Sequence, residues 1–149
     1  MECINKVAEI EISYCPTDIA GPKITCAKDS VKYIEPFYNK STIALQEEFI
    51  IIYLNRDNHI IGVYRHSIGS MSSTIVDVRI ILGTGLKIGS QKFIISHNHP
   101  SGNLTPSNQD IELTKKIKKA GAFMDLTILD HLTVDSKFNF YSFADCDLL

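Results

Sequence analysis

Apolar and polar positions follow one another along the chain in runs short enough for β-strands. The most apolar run, residues 49–54, reads Phe-Ile-Ile-Ile-Tyr-Leu and has no polar face, which is typical of a central strand. A polar turn over residues 55–58 leads into a second predicted strand at residues 59–68. Residues 92–96 form another short apolar run, which predicts a buried strand. The pattern therefore predicts at least three strands in this part of the chain.

Two segments show the periodicity of amphipathic helices. The first covers residues 108–120, and Gly121 stands where it could end this helix. The second covers residues 76–88, and we expect this helix to cross the sheet. Gly83 and Gly85 lower its stability by about 1 kcal/mol each relative to alanine. Both segments are nevertheless predicted to be helical.

The N-terminal part of the chain is less regular. Residues 8–14 alternate polar and apolar side chains, which predicts a strand with one solvated face. A short helix is predicted over residues 31–35, with Asp29 or Ser30 as its cap. No linker, repeat or low-complexity tract separates this part from the rest. We therefore expect residues 1–46 to form an extension that packs on the main sheet rather than a second domain.

The C-terminal part carries three short strand-like pieces. Residues 126–129 and 132–134 flank the pair Asp130 and His131, and residues 138–143 predict a last strand. His131 is compatible with two roles, because it could orient a functional pocket or be a buried, hydrogen-bonded structural residue.

Composition narrows the class of protein. With 149 residues and 44% hydrophobic residues, the chain is long and apolar enough for one domain with its own core. The net charge of −2 gives no overall attraction to nucleic acid or acidic lipid. We expect no membrane span and no signal peptide. Four scattered cysteines suit free thiols in the cytoplasm: Cys3, Cys15, Cys26 and Cys146.

The most informative stretch follows the strand at residues 92–96. His97 and His99 are two residues apart, so an extended chain directs both imidazoles to the same side. A Gly- and Pro-containing loop then leads to Ser107 and, in the first turn of the next helix, Asp110. Two imidazole nitrogens and a carboxylate are a normal first shell for a catalytic zinc ion. We therefore predict that His97, His99 and Asp110 bind one zinc ion.

Each part of this motif also has a purely structural interpretation. Ser107 and Asp110 have the spacing of a capping box, in which both side chains bond to the start of a helix. Most isolated His-x-His pairs lie at a surface or in hydrogen bonds. The metal hypothesis depends on the combination of strand, histidines, loop and acid, and capping is compatible with it.

The motif His-x-His-x7-Ser-x-x-Asp resembles the signature of the JAB/MPN (JAMM) metalloprotease superfamily. The fuller wording around His97, Asn98 and His99, together with Leu-Asp-His-Leu at residues 129–132, is similar to its RadC-like branch. The resemblance runs from about residue 47 to residue 143. It implies an α/β (α+β) fold of the JAB/MPN, cytidine-deaminase-like type, a mixed sheet flanked by helices. The metal-binding domain is thus expected at residues 47–149.

The resemblance also implies the chemistry, which is hydrolysis of peptide or isopeptide bonds with a peptide or protein as substrate. The superfamily uses a glutamate at the head of a strand as general base, and the strand at 49–54 points to Glu47. Glu48 is the adjacent alternative, because alternation puts one of the two on the zinc side. Ser107 is expected to donate a hydrogen bond to the tetrahedral oxyanion.

Two other functions are compatible with the same zinc site. One is a DNA-associated accessory factor or nuclease. In that case a lysine cluster on the helix predicted at residues 108–120 would contact phosphates; the cluster comprises Lys115, Lys116, Lys118 and Lys119. We favour the other explanation of these lysines, the solvated face of an amphipathic helix. The net charge and the lack of a Gly-rich helix-hairpin-helix segment also disfavour DNA. The other is a zinc-stabilised binding module without turnover. Replacing Glu47 separates an enzyme from a module.

Overall fold

The computed structural model of the chain describes residues 8, 10–11, 13–70 and 75–149. Its centre is a five-stranded sheet, whose strands in chain order are β1 (Glu48–Leu54), β2 (Ile60–Ile68), β3 (Lys92–Asn98), β4 (Thr127–Val134) and β5 (Phe140–Ser142). Across the sheet the order is β2-β1-β3-β4-β5. The pair β3–β4 is parallel and the other three pairs are antiparallel, so the sheet is mixed.

Within these described ranges, three α-helices flank the sheet: α1 (Ala27–Ile34), α2 (Val78–Lys87) and α3 (Asn108–Phe123). A short 3-10 turn, Glu35–Phe37, follows α1 directly. The mixed sheet with helices on its faces confirms the predicted α+β class. None of the helices in the described part of the chain combines the length and the apolar character that a membrane-spanning segment requires.

Strand β1 supplies side chains to both faces of the sheet, as its uninterrupted apolar sequence predicts. Ile50, Ile52 and Leu54 pack with α1 in one core cluster. Phe49, Ile51 and Tyr53 pack with α2 and α3 in the other. Each of these six side chains is at most 2% exposed, and burial of one such residue contributes about 1.5–3 kcal/mol. Helix α1 therefore covers one face and the other two helices cover the opposite face.

The predictions for the N-terminal part are wrong in detail. Residues 8, 10–11 and 13–14 are exposed and belong to no strand, while residues 9 and 12 lie outside the described part. Alternation predicts one wet face but supplies no neighbouring strand to pair with. Helix α1 begins at Ala27 instead of residue 31, and its N-cap is Cys26. Asp29 lies in the first turn, where its carboxylate accepts a hydrogen bond from Thr25 N at 2.8 Å.

Helix α1 nonetheless belongs to the core, because Val31 and Ile34 pack in the first cluster. The boundary predicted at residue 46 stays a prediction.

Two further differences concern the C-terminal half. Helix α3 continues past Gly121 to Phe123, so the prediction that Gly121 ends it is wrong. A Cβ at residue 121 would lie 2.5 Å from the carbonyl oxygen of Leu126. The glycine therefore permits a close backbone approach within the helix. The pieces predicted at residues 126–129 and 132–134 form the single strand β4, because Asp130 and His131 between them are buried.

Candidate metal centre

The histidines and the acid of the motif meet at the end of strand β3. The Nε2 atoms of His97 and His99 are 2.9 Å apart. The Asp110 carboxylate lies 3.4 Å from Nε2 of His97 and 3.5 Å from Nε2 of His99. Among the described residues, this is the group of three His, Cys, Asp or Glu side chains able to hold a metal ion, with one ligand atom from each within 4.8 Å of the others.

The tight loop that follows β3 anchors His99 beside His97. Gly102 has φ +79°, in the left-handed region that suits glycine, and its N–H donates to the carbonyl of His99 at 3.0 Å. His99 Nδ1 lies 2.5 Å from the carbonyl oxygen of Asn103. A carbonyl oxygen only accepts, so Nδ1 of neutral His99 carries the proton. Its Nε2 therefore presents a lone pair toward His97 and Asp110.

The start of α3 holds Asp110 in place. Ser107 is the N-cap, and its Oγ accepts a hydrogen bond from Asp110 N at 3.1 Å. In return, Asp110 Oδ2 accepts from Ser107 N at 2.8 Å and from Ser107 Oγ at 2.7 Å. The capping-box interpretation is therefore confirmed, and the same carboxylate faces both histidines. The capping box thus orients the Asp110 carboxylate toward the two histidines.

The three groups interact electrostatically. Burial by itself would raise the pKa of Asp110, but the neighbouring imidazoles of His97 and His99 outweigh it and hold that pKa well below its usual value. The hydrogen bond with Asp110 raises the pKa of His99, against the opposing effect of its burial. The Asp110 carboxylate and the two imidazole nitrogens together form a set of electron-pair donors that can stabilise a cation placed among them.

Of the two neighbouring acids, Glu47 faces this site. Strand β1 pairs with β3 so that Phe49 lies opposite His97, and residues directly opposite one another share a face of the sheet. Glu47 lies two residues before Phe49 and therefore belongs to the same face of the sheet, whereas Glu48 belongs to the opposite face. Glu48 is only 2% exposed, and its carboxylate accepts a hydrogen bond from Asn39 N at 3.2 Å.

The electrostatics of Glu47 agree with this placement. Burial raises the pKa of Glu47, and the charges that act on it come from His97, His99 and Asp110. The two histidines lower this pKa and Asp110 raises it. Glu47 is therefore a partly buried carboxyl, with its pKa raised by burial, beside the candidate metal site.

Asn98 points away from the histidines, as strand alternation predicts. Its side-chain amide has no exposed surface and bonds to the backbone of Ile43, Gln46 and Glu48. The residue between the two imidazoles thus fastens the chain on either side of Glu47.

His131 lies directly behind the site. Its Nε2 is 2.7 Å from Nδ1 of His97, and its Nδ1 is 2.6 Å from Oγ1 of Thr114. His131 is fully buried. Both roles left open by the sequence therefore apply, since it is structural and also contacts a candidate ligand. Thr114 was missed, because a threonine inside a helix gives no signal by itself; its spacing of four residues from Asp110 was the available hint.

Two further histidines and the lysines of α3 lie outside this group. His59 Nδ1 bonds to the carbonyl of Gly21 at 2.7 Å, and His66 Nε2 accepts from Asp77 N at 2.9 Å. The lysines of α3 are exposed, and one of them pairs with Glu112 at 2.9 Å.

Comparison with known proteins agrees with the resemblance. A family model described as "RadC-like JAB domain" matches residues 24–148. A "UPF0758 protein" of Flavobacterium johnsoniae is 42% identical over 123 residues, which cover 83% of this chain and 52% of the relative. Another, from Clostridium novyi, is 33% identical over 144 residues, which cover 97% of this chain and 57% of the relative.

A third "UPF0758 protein", from Gloeothece citriformis, is 49% identical over 87 residues, or 58% of this chain and 36% of the relative. The chain thus spans about half the length of the curated relatives it matches. The name that these relatives share states no activity.

Proposed function

Since the chain belongs to the RadC-like JAB domain family, we propose that it is a zinc-dependent hydrolase of the JAMM type that cleaves peptide or isopeptide bonds. The observation that carries this proposal is the pair of Nε2 atoms 2.9 Å apart that face the Asp110 carboxylate. Two imidazole nitrogens and one carboxylate oxygen leave a fourth position of a tetrahedral zinc ion open for water or substrate.

The site residues divide the work of such a reaction. His97, His99 and Asp110 would hold a zinc ion, and the ion would supply Lewis acidity that lowers the pKa of a water from 15.7 to about 7 and polarises a carbonyl. Glu47 accepts the proton of the attacking water and later donates it to the departing amine. Burial raises the pKa of Glu47, and this direction of shift favours a carboxyl that takes up a proton and releases it again.

Ser107 is assigned a second role besides capping. Its Oγ–H group donates to Asp110 Oδ2, and a hydroxyl rotates freely enough to change its acceptor. We propose that it turns to the tetrahedral oxyanion as this forms, a kind of contact worth roughly 2.7–4 kcal/mol. Asp110 keeps its bond from Ser107 N meanwhile, so the carboxylate stays oriented.

Metal analysis tests the ligand assignment first. The purified chain should hold about one zinc ion, and His97→Ala and Asp110→Asn should each lose it. Asp57→Asn is the matched control, because Asp57 lies exposed in the turn after β1. Stoichiometric zinc in the Asp110→Asn variant would remove Asp110 from the ligand set.

Replacement of the base then tests the reaction. Glu47→Gln should keep the zinc ion and the fold but lose hydrolysis of a panel of peptide and isopeptide substrates. Glu112→Gln, an exposed change of the same kind on α3, should keep wild-type activity. A wild-type chain that holds zinc yet cleaves no member of the panel would favour a binding module without turnover.

The DNA hypothesis is tested by the same preparation. The lysines of α3 are exposed, so they are accessible to a phosphate backbone. Binding to DNA through them should weaken steeply as salt increases. We do not favour this function, and DNA that is bound or cleaved with such a salt dependence would replace the peptidase proposal.

A further inference from the structure

The contacts behind the metal centre determine where the protons of the histidines lie. Thr114 Oγ1 is 2.6 Å from the carbonyl oxygen of Asp110 and 2.6 Å from Nδ1 of His131. Two oxygen atoms at this distance repel each other unless a hydrogen lies between them, and the carbonyl cannot supply it. The single hydroxyl hydrogen of Thr114 therefore points to Asp110 O. Thr114 can then act toward His131 only as an acceptor.

The direction of the next bond follows from the first. Nδ1 of His131 has to donate to Thr114 Oγ1, so it carries the ring proton. His131 is fully buried, and its ring nitrogens contact Thr114 and His97, neither of which is an acid, so the ring is neutral. Its Nε2 is consequently bare and can only accept. The bond of 2.7 Å to His97 therefore runs from Nδ1–H of His97 to Nε2 of His131.

We infer that Thr114 and His131 are positioning residues that place the proton of His97 on Nδ1 and so leave its Nε2 bare for a metal ion. The inference rests on the metal-binding part of the proposed function and not on the reaction. Asp110 then has two roles: its carboxylate faces the metal site, and its backbone carbonyl accepts the first hydrogen bond of the chain that leads to His97. Two of the candidate ligands, Asp110 and His97, are thus also linked through hydrogen bonds of the protein.

The surroundings of His131 hold its ring in the required orientation. It stacks on Phe143 with ring centroids 4.3 Å apart and an angle of 19°. Phe49 meets it edge-on at 6.0 Å and stacks on His97 at 6.2 Å. A rotation of the His131 ring would exchange its nitrogen and carbon atoms and break both of its hydrogen bonds. The packing therefore retains one arrangement.

His99 also donates a hydrogen bond from its Nδ1, but to a different kind of acceptor. There the acceptor is the carbonyl of Asn103, a backbone group in the loop. At His97 the acceptor is a side chain whose own polarity depends on Thr114. A histidine ligand usually donates its second N–H to a carboxylate, carbonyl or water. The tautomer of His97, in contrast to that of His99, therefore depends on side chains that substitution can change.

Two substitutions of Thr114 test the chain of bonds. Thr114→Val keeps the shape but removes the acceptor for His131, whereas Thr114→Ser keeps the hydroxyl and serves as the matched control. We expect zinc to bind about 10–100-fold more weakly in the valine variant, measured by competition with a chromophoric chelator. The serine variant should bind zinc within about threefold of the wild type.

Nitrogen-15 NMR of the imidazole rings gives a readout that does not need the metal. In the zinc-free wild-type chain, both His97 and His131 should show the Nδ1–H tautomer, and in Thr114→Val the His131 signal should shift toward the other form. A purely structural Thr114 would change stability without changing these tautomers. The inference is overturned by an Nε2–H tautomer of His131 in the wild type, or by an unchanged zinc affinity of a folded Thr114→Val variant.

The two proposals fail in different ways. Absence of zinc binding by the wild type contradicts the proposed function, and the tautomers measured without metal then still decide the polarity of the chain. If Thr114→Val does not fold, His131→Gln replaces it. The amide oxygen of glutamine can accept from His97, so this variant should recover zinc binding better than His131→Phe. Equal zinc affinities of these two variants would contradict the positioning role.

Discussion

Asn98 offers a direct test of how the base is held at the site. Its Oδ1 accepts a hydrogen bond from Glu48 N at 2.6 Å, and its Nδ2 donates to the carbonyls of Ile43 at 2.7 Å and Gln46 at 2.8 Å. The amide is fully buried. All three bonds go to the backbone of residues 43–48, the segment that leads into β1 and contains Glu47. We predict that Asn98→Ala loosens the backbone that carries Glu47.

The size of the effect follows from the number of bonds. A net contribution of about 1 kcal/mol for each hydrogen bond, and somewhat more where a buried partner is left unpaired, gives a loss of about 3–4 kcal/mol for Asn98→Ala. For a chain of this length, that corresponds to a fall of roughly 10 °C in the unfolding temperature. Hydrolysis should fall as well, because Glu47 loses its fixed position.

Asn98→Asp is the sharper variant, because it keeps the shape and changes only the bonding. The oxygen that replaces Nδ2 would face two carbonyl oxygens, and a buried charge without a partner costs about 3–5 kcal/mol. Burial raises the pKa of the introduced carboxyl in the folded state above its unfolded value. The folded state then binds more protons, so the variant loses stability as pH rises from about 4 toward 8.

Urea unfolding followed by circular dichroism at pH 5 and pH 8 measures both variants. At pH 8 the aspartate variant should be less stable than the alanine variant, and the difference should narrow at pH 5. Gln91→Glu makes the same chemical change at an exposed residue just before β3 and should stay within about 0.5 kcal/mol of the wild type. An aspartate variant as stable as the wild type at pH 8 would refute the hydrogen-bond assignment.

Three further predictions concern stability and are measured by the same unfolding experiments. Gly121→Ala should lower the free energy of unfolding by about 1–3 kcal/mol, because the new Cβ would lie 2.5 Å from Leu126 O. Gly83→Ala, whose Cβ would have nothing within 4 Å, should raise it by up to about 1 kcal/mol; equal effects of the two substitutions would contradict this contrast. Asp130→Ala should cost about 2–4 kcal/mol, because Ser142 Oγ and two backbone N–H groups lose their acceptor; a loss below 1 kcal/mol would contradict it. Zinc at about 1,000 times its Kd should add about 4 kcal/mol of stability, which a chelator removes; a chelator without effect would contradict tight binding.

The central strands and the pairing of the two histidines could be predicted from sequence because each depends on local periodicity. An unbroken apolar run indicates a strand buried on both faces, and a spacing of two residues puts His97 and His99 on the same side. The strand predicted at residues 8–14 shows the limit of this argument, since alternation does not provide a partner. Gly121 shows another, because glycine marks helix ends and close backbone contacts alike.

The link from Thr114 through His131 to His97 could not be predicted for a different reason. It depends on the parallel register of β3 and β4, in which Ile95 lies opposite His131, and on the rotation of α3 about its axis. Neither quantity leaves a pattern in a single sequence. The sequence shows which residues are able to bond, and the tertiary register decides which of them do.

The choice between Glu47 and Glu48 has the same origin. A shift of one residue in the pairing of β1 with β3 would exchange the two faces of β1, and both faces are apolar. The hydrophobic effect therefore stabilises this pair of strands without distinguishing well between the two registers. The polar residues at the end of the strands do distinguish them, because only the observed register lets Asn98 accept from Glu48 N. The bonds of one buried amide thus select the register that turns Glu47 toward the metal centre.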